Sequence, residues 1–255
     1  SPSWIALNKN TGELIGEDGS GASASALHAA WSSLTYGKVG GKEMLIWGGT
    51  DGFCYGYPTK TEKDADGYEL FNPSWKVDCN EPHYRKDKNG KKVPYATPPG
   101  PSELIGTPIL YKGKVYCAIG QDPEHGDGVG RLTCIDAKTG KVLWKYTDVG
   151  RTISTMSVAD DLVYLAEYAG IVHCLDANTG KVYWTYDSFS RIWGSTLVVD
   201  GKLLLGNEDG DLLVMDHGKG KPKVKMVGMG APVYSSPVFV NGTLYIATQT
   251  HLYAI

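Results

Sequence analysis

The chain has 255 residues, 42% of them apolar and 21% charged, with a net charge of −3. That length buries a substantial core, and the charge balance excludes the basic footprint of a nucleic-acid groove or an anionic-membrane binder. The 33 glycines and 16 tyrosines favour tight turns and aromatic strands over long helices, and no apolar run approaches the ~20 residues of a membrane helix.

In chain order, WIALN and GELIGE come first, separated by a turn at Thr11-Gly12. They match the third and fourth strands of the units that follow and read as a partial unit over 4–17. The first full unit covers about 32–78, and the stretch 59–67 within it reads as a lengthened turn. The segment NEPHYRKDKNGKKVPYATPPGP, 80–101, is charged and then proline-rich. It lacks periodicity and reads as a surface loop. Further units follow at about 107–147, 153–187, 195–226 and 235–255. The unit at 153–187 holds four strand-like runs, TMSVA, LVYLAE, IVHCLD and VYWTYD. Lys112-Gly113, Asp200-Gly201 and Asn241-Gly242 predict two-residue hairpins of type I′.

Two units carry nearly one sentence twice: CIDAKTGKVLWKY at 134–146 and CLDANTGKVYWTY at 174–186. Four short strands repeated at about forty residues predict an all-β fold, a β-propeller of four-stranded antiparallel blades in a single domain. Each meander has two apolar faces, and stacking blades buries both. Thr-Gly is predicted to turn the third strand into the fourth, with Asp136, Gly140, Asp176 and Gly180 as structural residues. Trp144 and Trp184 fall on the outer strand, placed to wedge against an adjoining blade. Cys54, Cys117, Cys134 and Cys174 lie in strand-like runs and read as buried thiols.

The motif Asp-Ala-x-Thr-Gly-Lys-Val-x-Trp resembles the tryptophan-docking motif of pyrroloquinoline-quinone (PQQ)-type propeller repeats. Such repeats occur in quinoprotein alcohol dehydrogenases and in a non-enzymatic outer-membrane assembly lipoprotein. LHAAWSSLTYG, GGTDGFCYGY, GQDPEHGDGVGRLTCIDAKTGKV and LYIATQTHLYAI resemble PQQ-like repeat proteins of planctomycete-type bacteria, over nearly the whole chain. The resemblance implies a quinoprotein-like propeller in the periplasm or outside the cell. Counted against it, the chain holds about five and a half blades of an eight-bladed parent. A closed six-bladed ring with one redundant strand is the rival reading. The start at Ser1 without Met reads as a mature or trimmed product.

In such a fold the turns between second and third strands share a face with the blade-to-blade connections. The turns carry Asp51, Glu167, Glu208, Asp209 and His251; the connections carry His28, Trp31, Arg151, Arg191, Trp193 and Tyr234. Arg151 and Arg191 suit bidentate capture of carboxylates, or a structural pairing with an acid of a neighbouring blade. Trp31 and Trp193 suit stacking on a flat ligand, or packing. Asp122, Glu124 and Asp127 offer oxygens to a divalent ion; without Asp-x-Asp-x-Asp spacing, a solvated loop is the alternative.

Signature motifs of nucleophilic, nucleotide-binding and zinc enzymes are missing. So is the adjacent cysteine pair of the quinoprotein enzymes. The function that follows is a non-catalytic, cofactor-free propeller binding a protein partner, or the missing blades of its own ring, at the channel face. The alternative that the resemblance implies is a PQQ- and metal-dependent alcohol or sugar dehydrogenase. In it Arg191 would grip the quinone's carboxylates, Trp193 would stack, and Glu208 or Asp209 would hold the metal or act as base.

Overall fold

Hairpin corners set the strand boundaries. At Lys112-Gly113, Asp200-Gly201 and Asn241-Gly242 both central residues have positive φ, 47° and 75°, 48° and 66°, 51° and 78°. This is the left-handed pair that a type I′ turn requires. Asp160-Asp161 adopts the same conformation without glycine, at 49° and 58°. The computed structural model describes residues 1–26, 30–93 and 100–255. Among them helix is limited to short 3₁₀ segments, Ala22–Ser25, Pro82–Tyr84 and Pro123–His125.

The chain divides into two compact units, Ser1–Thr147 and Asp148–Ile255. In the first, strands Thr35–Val39, Lys42–Gly48, Phe53–Pro58 and Trp75–Asp78 form one antiparallel sheet. Ile109–Tyr111, Lys114–Ile119, Arg131–Asp136 and Val142–Tyr146 form the next. The two pack through a core that includes Ile46, Cys54, Val115, Cys117 and Ile135.

The N-terminal strands Ile5–Leu7 and Leu14–Asp18 make an antiparallel pair. The stretch 59–67, expected as a lengthened turn, instead contains the strand Glu62–Lys63, and the strands of the partial blade 4–17 share a sheet with it. Glu62–Lys63 and Glu69–Phe71 form a hairpin that joins the N-terminal pair, Glu69–Phe71 running parallel to Leu14–Asp18. The physical reason is apolar cover. Phe71 is buried with Tyr57 and Trp47, and Trp4 packs its ring 5.3 Å from that of Phe71.

In the second unit, Ser157–Ala159, Leu162–Ala166, Ile171–Asp176 and Val182–Asp187 form an antiparallel sheet. Leu197–Val199, Lys202–Gly206, Asp211–Asp216 and Val224–Gly228 form a second. A third has three strands, Val238–Val240, Thr243–Ala247 and Leu252–Ala254. Leu162, Tyr164, Cys174, Leu203, Leu205 and Met215 are shared between the first two sheets. Met229, Val233 and Ile246 link the second to the third. These are propeller-type blades.

The repeated motif builds the same object twice. Cys134 pairs with Trp144 and Cys174 with Trp184, each followed by a one-residue register shift. Asp136 Oδ1 accepts from the backbone N–H groups of Lys138 and Thr139, and Asp176 Oδ1 from those of Asn178 and Thr179. Gly140 and Gly180 then turn the chain at φ 72° and 73°. Asn8 and Gly12 repeat this turn at the N-terminus, with Gly12 at φ 76°. Trp184 donates its indole N–H to Gly218 O of the next sheet. Trp75 does the same to Ala137 O, 3.0 Å away.

Candidate functional site

In the second unit each blade-to-blade connection runs beside a turn between second and third strands. Tyr168 N–H donates to Arg151 O, Glu208 N–H to Arg191 O and Gln249 N–H to Pro232 O, at 3.0, 2.9 and 3.0 Å. These backbone bonds fix the connections and the turns at one end of the sheets. Their side chains therefore gather there.

The gathering centres on Tyr168, which is buried. The Arg151 guanidinium lies 4.4 Å from the centre of its ring and that of Arg191 5.5 Å. Trp193 meets the same ring edge-on at 5.0 Å and meets Tyr234 edge-on at 5.7 Å. Glu208 completes the group, 3.8 Å from Arg191 Nη1 and accepting from Tyr234 Oη at 3.5 Å. The phenol of Tyr234 is pushed up from its ordinary value, by desolvation first and then by the Glu208 carboxylate. Arg191 keeps 60% of its side chain exposed, so the guanidinium is held by one ring and one carboxylate yet faces solvent. Two cations against an aromatic face are mutually tolerable because the ring quadrupole attracts both.

The predicted rim residues divide. Arg151, Arg191, Trp193, Glu208 and Tyr234 come together. Asp209 lies next to them, exposed, its N–H donating to Ser190 Oγ. Glu167 points inward, where its Oε1 is 2.8 Å from His173 Nε2 and both side chains are almost fully buried. His251, on the last sheet, is exposed and bonds Thr250 Oγ1 through Nδ1.

In the first unit, Asp51 accepts from Tyr55 Oη and Phe53 N–H. Burial pushes its carboxyl up despite those bonds. Trp31 is half exposed. His28 lies outside the described residues. Asp122 caps Pro123–His125 by accepting from Glu124 N–H at 2.8 Å. Neither Tyr168 nor His173 was among the predicted site residues. The signal for Tyr168 was its place one residue after Glu167, level with Glu208 of the next blade.

Among the described residues no group of three or more histidine, cysteine, aspartate or glutamate side chains is arranged to hold a metal ion.

The family model for outer membrane protein assembly factor BamB matches residues 75–255, well over half of the chain. The chain belongs to that family. BamB from Moraxella catarrhalis aligns with a TM-score of 0.69 at 14% identity, over 98% of this chain and 65% of that one. A chain of the mitotic checkpoint complex aligns at 0.65 and 11% identity, over 98% and 68%. Quinohemoprotein alcohol dehydrogenase ADHIIG from Pseudomonas putida HK5 aligns at 0.62 and 18% identity, over 91% and 40%. The chain thus spans 65% of the length of the Moraxella BamB chain and 40% of that of the dehydrogenase. At these identities the structural likeness speaks for the propeller fold alone. No curated protein matches the chain. Among the described residues no helix of this BamB-family chain is long and apolar enough to cross a membrane.

Proposed function

We propose that the chain is a non-catalytic binding module of the bacterial cell envelope that holds a protein partner at the rim around Tyr168. The observation that carries this reading is the composition of the rim. Arg151, Arg191, Trp193 and Tyr234 converge on Tyr168, and Trp, Tyr and Arg are the residue types that anchor protein interfaces. Held in place by ring contacts, they lose little freedom on binding. The nearby histidine–carboxylate pair, His173 with Glu167, is sealed from solvent, which argues against its serving as acid or base. The envelope placement follows the BamB family's assembly role, and no quinone is required by this reading.

A further supporting feature is the last sheet. Val238, Phe239 and Val240 are about half exposed, and Leu252 and Ile255 are 70% exposed. Such an apolar sheet surface calls for cover. Further blades of an eight-bladed parent would supply it, in line with the 65% coverage of BamB.

Photo-cross-linking tests the rim. With Asp209 replaced by a benzoylphenylalanine, irradiated cells should yield one discrete protein adduct, lost when Arg191→Ala and Trp193→Ala are added. Adducts that are absent, or unchanged by those substitutions, would sink the proposal.

A further inference from the structure

Three thiols meet in the core of the first unit. Cys54 lies on Phe53–Pro58, Cys79 directly follows Trp75–Asp78, and Cys117 lies on Lys114–Ile119 of the neighbouring sheet. All three are buried, with 0–1% of their surface exposed. Cys79 Sγ is 3.5 Å from Cys117 Sγ, within about 1.5 Å of a disulfide bond length. Cys54 touches Cys117 as well.

The surroundings say which chemistry is open to them. The walls include the apolar Ile46, Leu104, Val115 and Ile119, and the buried Arg131 guanidinium bonds Asp78 O, next to Cys79. Among the described residues no metal-holding group forms. Backbone freedom then distinguishes the two possible pairs. Cys54 is locked between neighbours on both sides, paired with Gly48 and with Val77. Cys79 sits one residue past the last paired position, Asp78, with its N–H bonded to Gly52 O. It can make the small approach that closure needs.

We propose that Cys79 and Cys117 form a disulfide that staples these two sheets, leaving Cys54 as the thiol beside it. The bond joins positions 38 residues apart. The oxidant is a small disulfide such as oxidised glutathione. The Cys79 thiolate attacks it, releasing one glutathione thiol and leaving a mixed disulfide. The Cys117 thiolate then displaces the second glutathione. Two S–H bonds are lost, one protein S–S bond forms, and the glutathione disulfide takes up two electrons and two protons. In the folded chain hydrogen bonding within the cluster and burial hold Cys79 and Cys117 well above the ordinary thiol value. Exchange therefore belongs to the folding stage, and the finished bond is shielded from reductant.

That the bond forms in the cell rests on the envelope placement proposed above; the capacity to form it does not. The test is to fold the full chain in a glutathione redox buffer, alkylate free thiols after denaturation, and map peptides without reduction. The expected result is one cross-linked pair containing Cys79 and Cys117, lighter by two hydrogens, with Cys54 alkylated. The same linkage should persist in Cys54→Ser. Five alkylatable cysteines, or a Cys54–Cys117 linkage, would overturn the proposal. A bond that forms in the buffer but is missing from protein isolated from cells supports the pair and counts against the envelope placement alone.

Discussion

The indole of Trp184 is anchored on the neighbouring sheet by a 2.9 Å hydrogen bond to the carbonyl oxygen of Gly218. Its ring also lies 5.9 Å from that of Tyr164 in its own sheet. One side chain thus fastens two blades through packing and a directed bond. Trp184→Ala should cost about 3–5 kcal/mol in chemical denaturation. Trp184→Phe, which keeps most of the ring and drops the donor, should cost clearly less. Equal losses would mean the indole bond contributes nothing.

The turn glycines separate backbone strain from crowding. Gly12 and Gly140 have nearly the same φ, 76° and 72°. A Cβ on Gly12 would meet nothing within 4 Å, whereas one on Gly140 would lie 2.8 Å from Trp75. Gly12→Ala should lose about 1–2 kcal/mol from the left-handed conformation alone. Gly140→Ala should lose a further 1–3 kcal/mol or so through overpacking. Matching denaturation midpoints for the two variants would contradict the docking of Trp75 on this turn.

Acid tests the Asp-Thr-Gly turns. Asp136 is held below its ordinary value by the Thr139 hydroxyl first, and Asp176 by the Tyr183 hydroxyl first, with backbone N–H groups adding to both. A carboxyl depressed on folding contributes stability that is present above its unfolded value, about 3.9. That stability is lost as pH falls through the folded value. Both carboxyls should therefore titrate below ordinary aspartate in NMR. The Asp136→Asn, Asp176→Asn double variant should show a flatter loss of stability below about pH 4 than the parent. Titration at or above the ordinary value would refute the turn geometry.

The blades were legible in the sequence because their turns are written in chemistry that only one backbone satisfies. Asn241-Gly242 and the Thr-Gly corners mark hairpins, and the repeat of Cys, Asp, Gly and Trp at one spacing marks equivalent strands. The pairing of Glu69–Phe71 with Leu14–Asp18 was not legible. TEKDADGYELF is short and polar with no alternation to follow, and its partner lies some fifty residues upstream in a parallel alignment. The docking of Trp75 was hidden likewise, because its acceptor, Ala137, is 62 residues away. At the rim, the matched spacing of Arg151 and Arg191 showed where to look. That both guanidinium groups rest on Tyr168, while Glu167 turns inward to His173, depends on side-chain direction at a turn, which no periodicity encodes.

The rim should be separable from the fold. Arg191 is exposed and its ion pair with Glu208 is long, 3.8 Å. Such a pair contributes at most about 1 kcal/mol. Arg191→Ala should leave the urea midpoint almost unchanged. A large fall in stability would recast the cluster as a structural brace.

The central claim, a protein-binding rim around Tyr168, is tested most directly by the affinity of the cross-linked partner, once purified, for the parent chain and for the Arg151→Ala, Arg191→Ala double variant in calorimetric titration. The account predicts at least about a tenfold loss, the equivalent of 1.4 kcal/mol, with no loss for the surface control Lys63→Ala. Unchanged affinity in the double variant would contradict it.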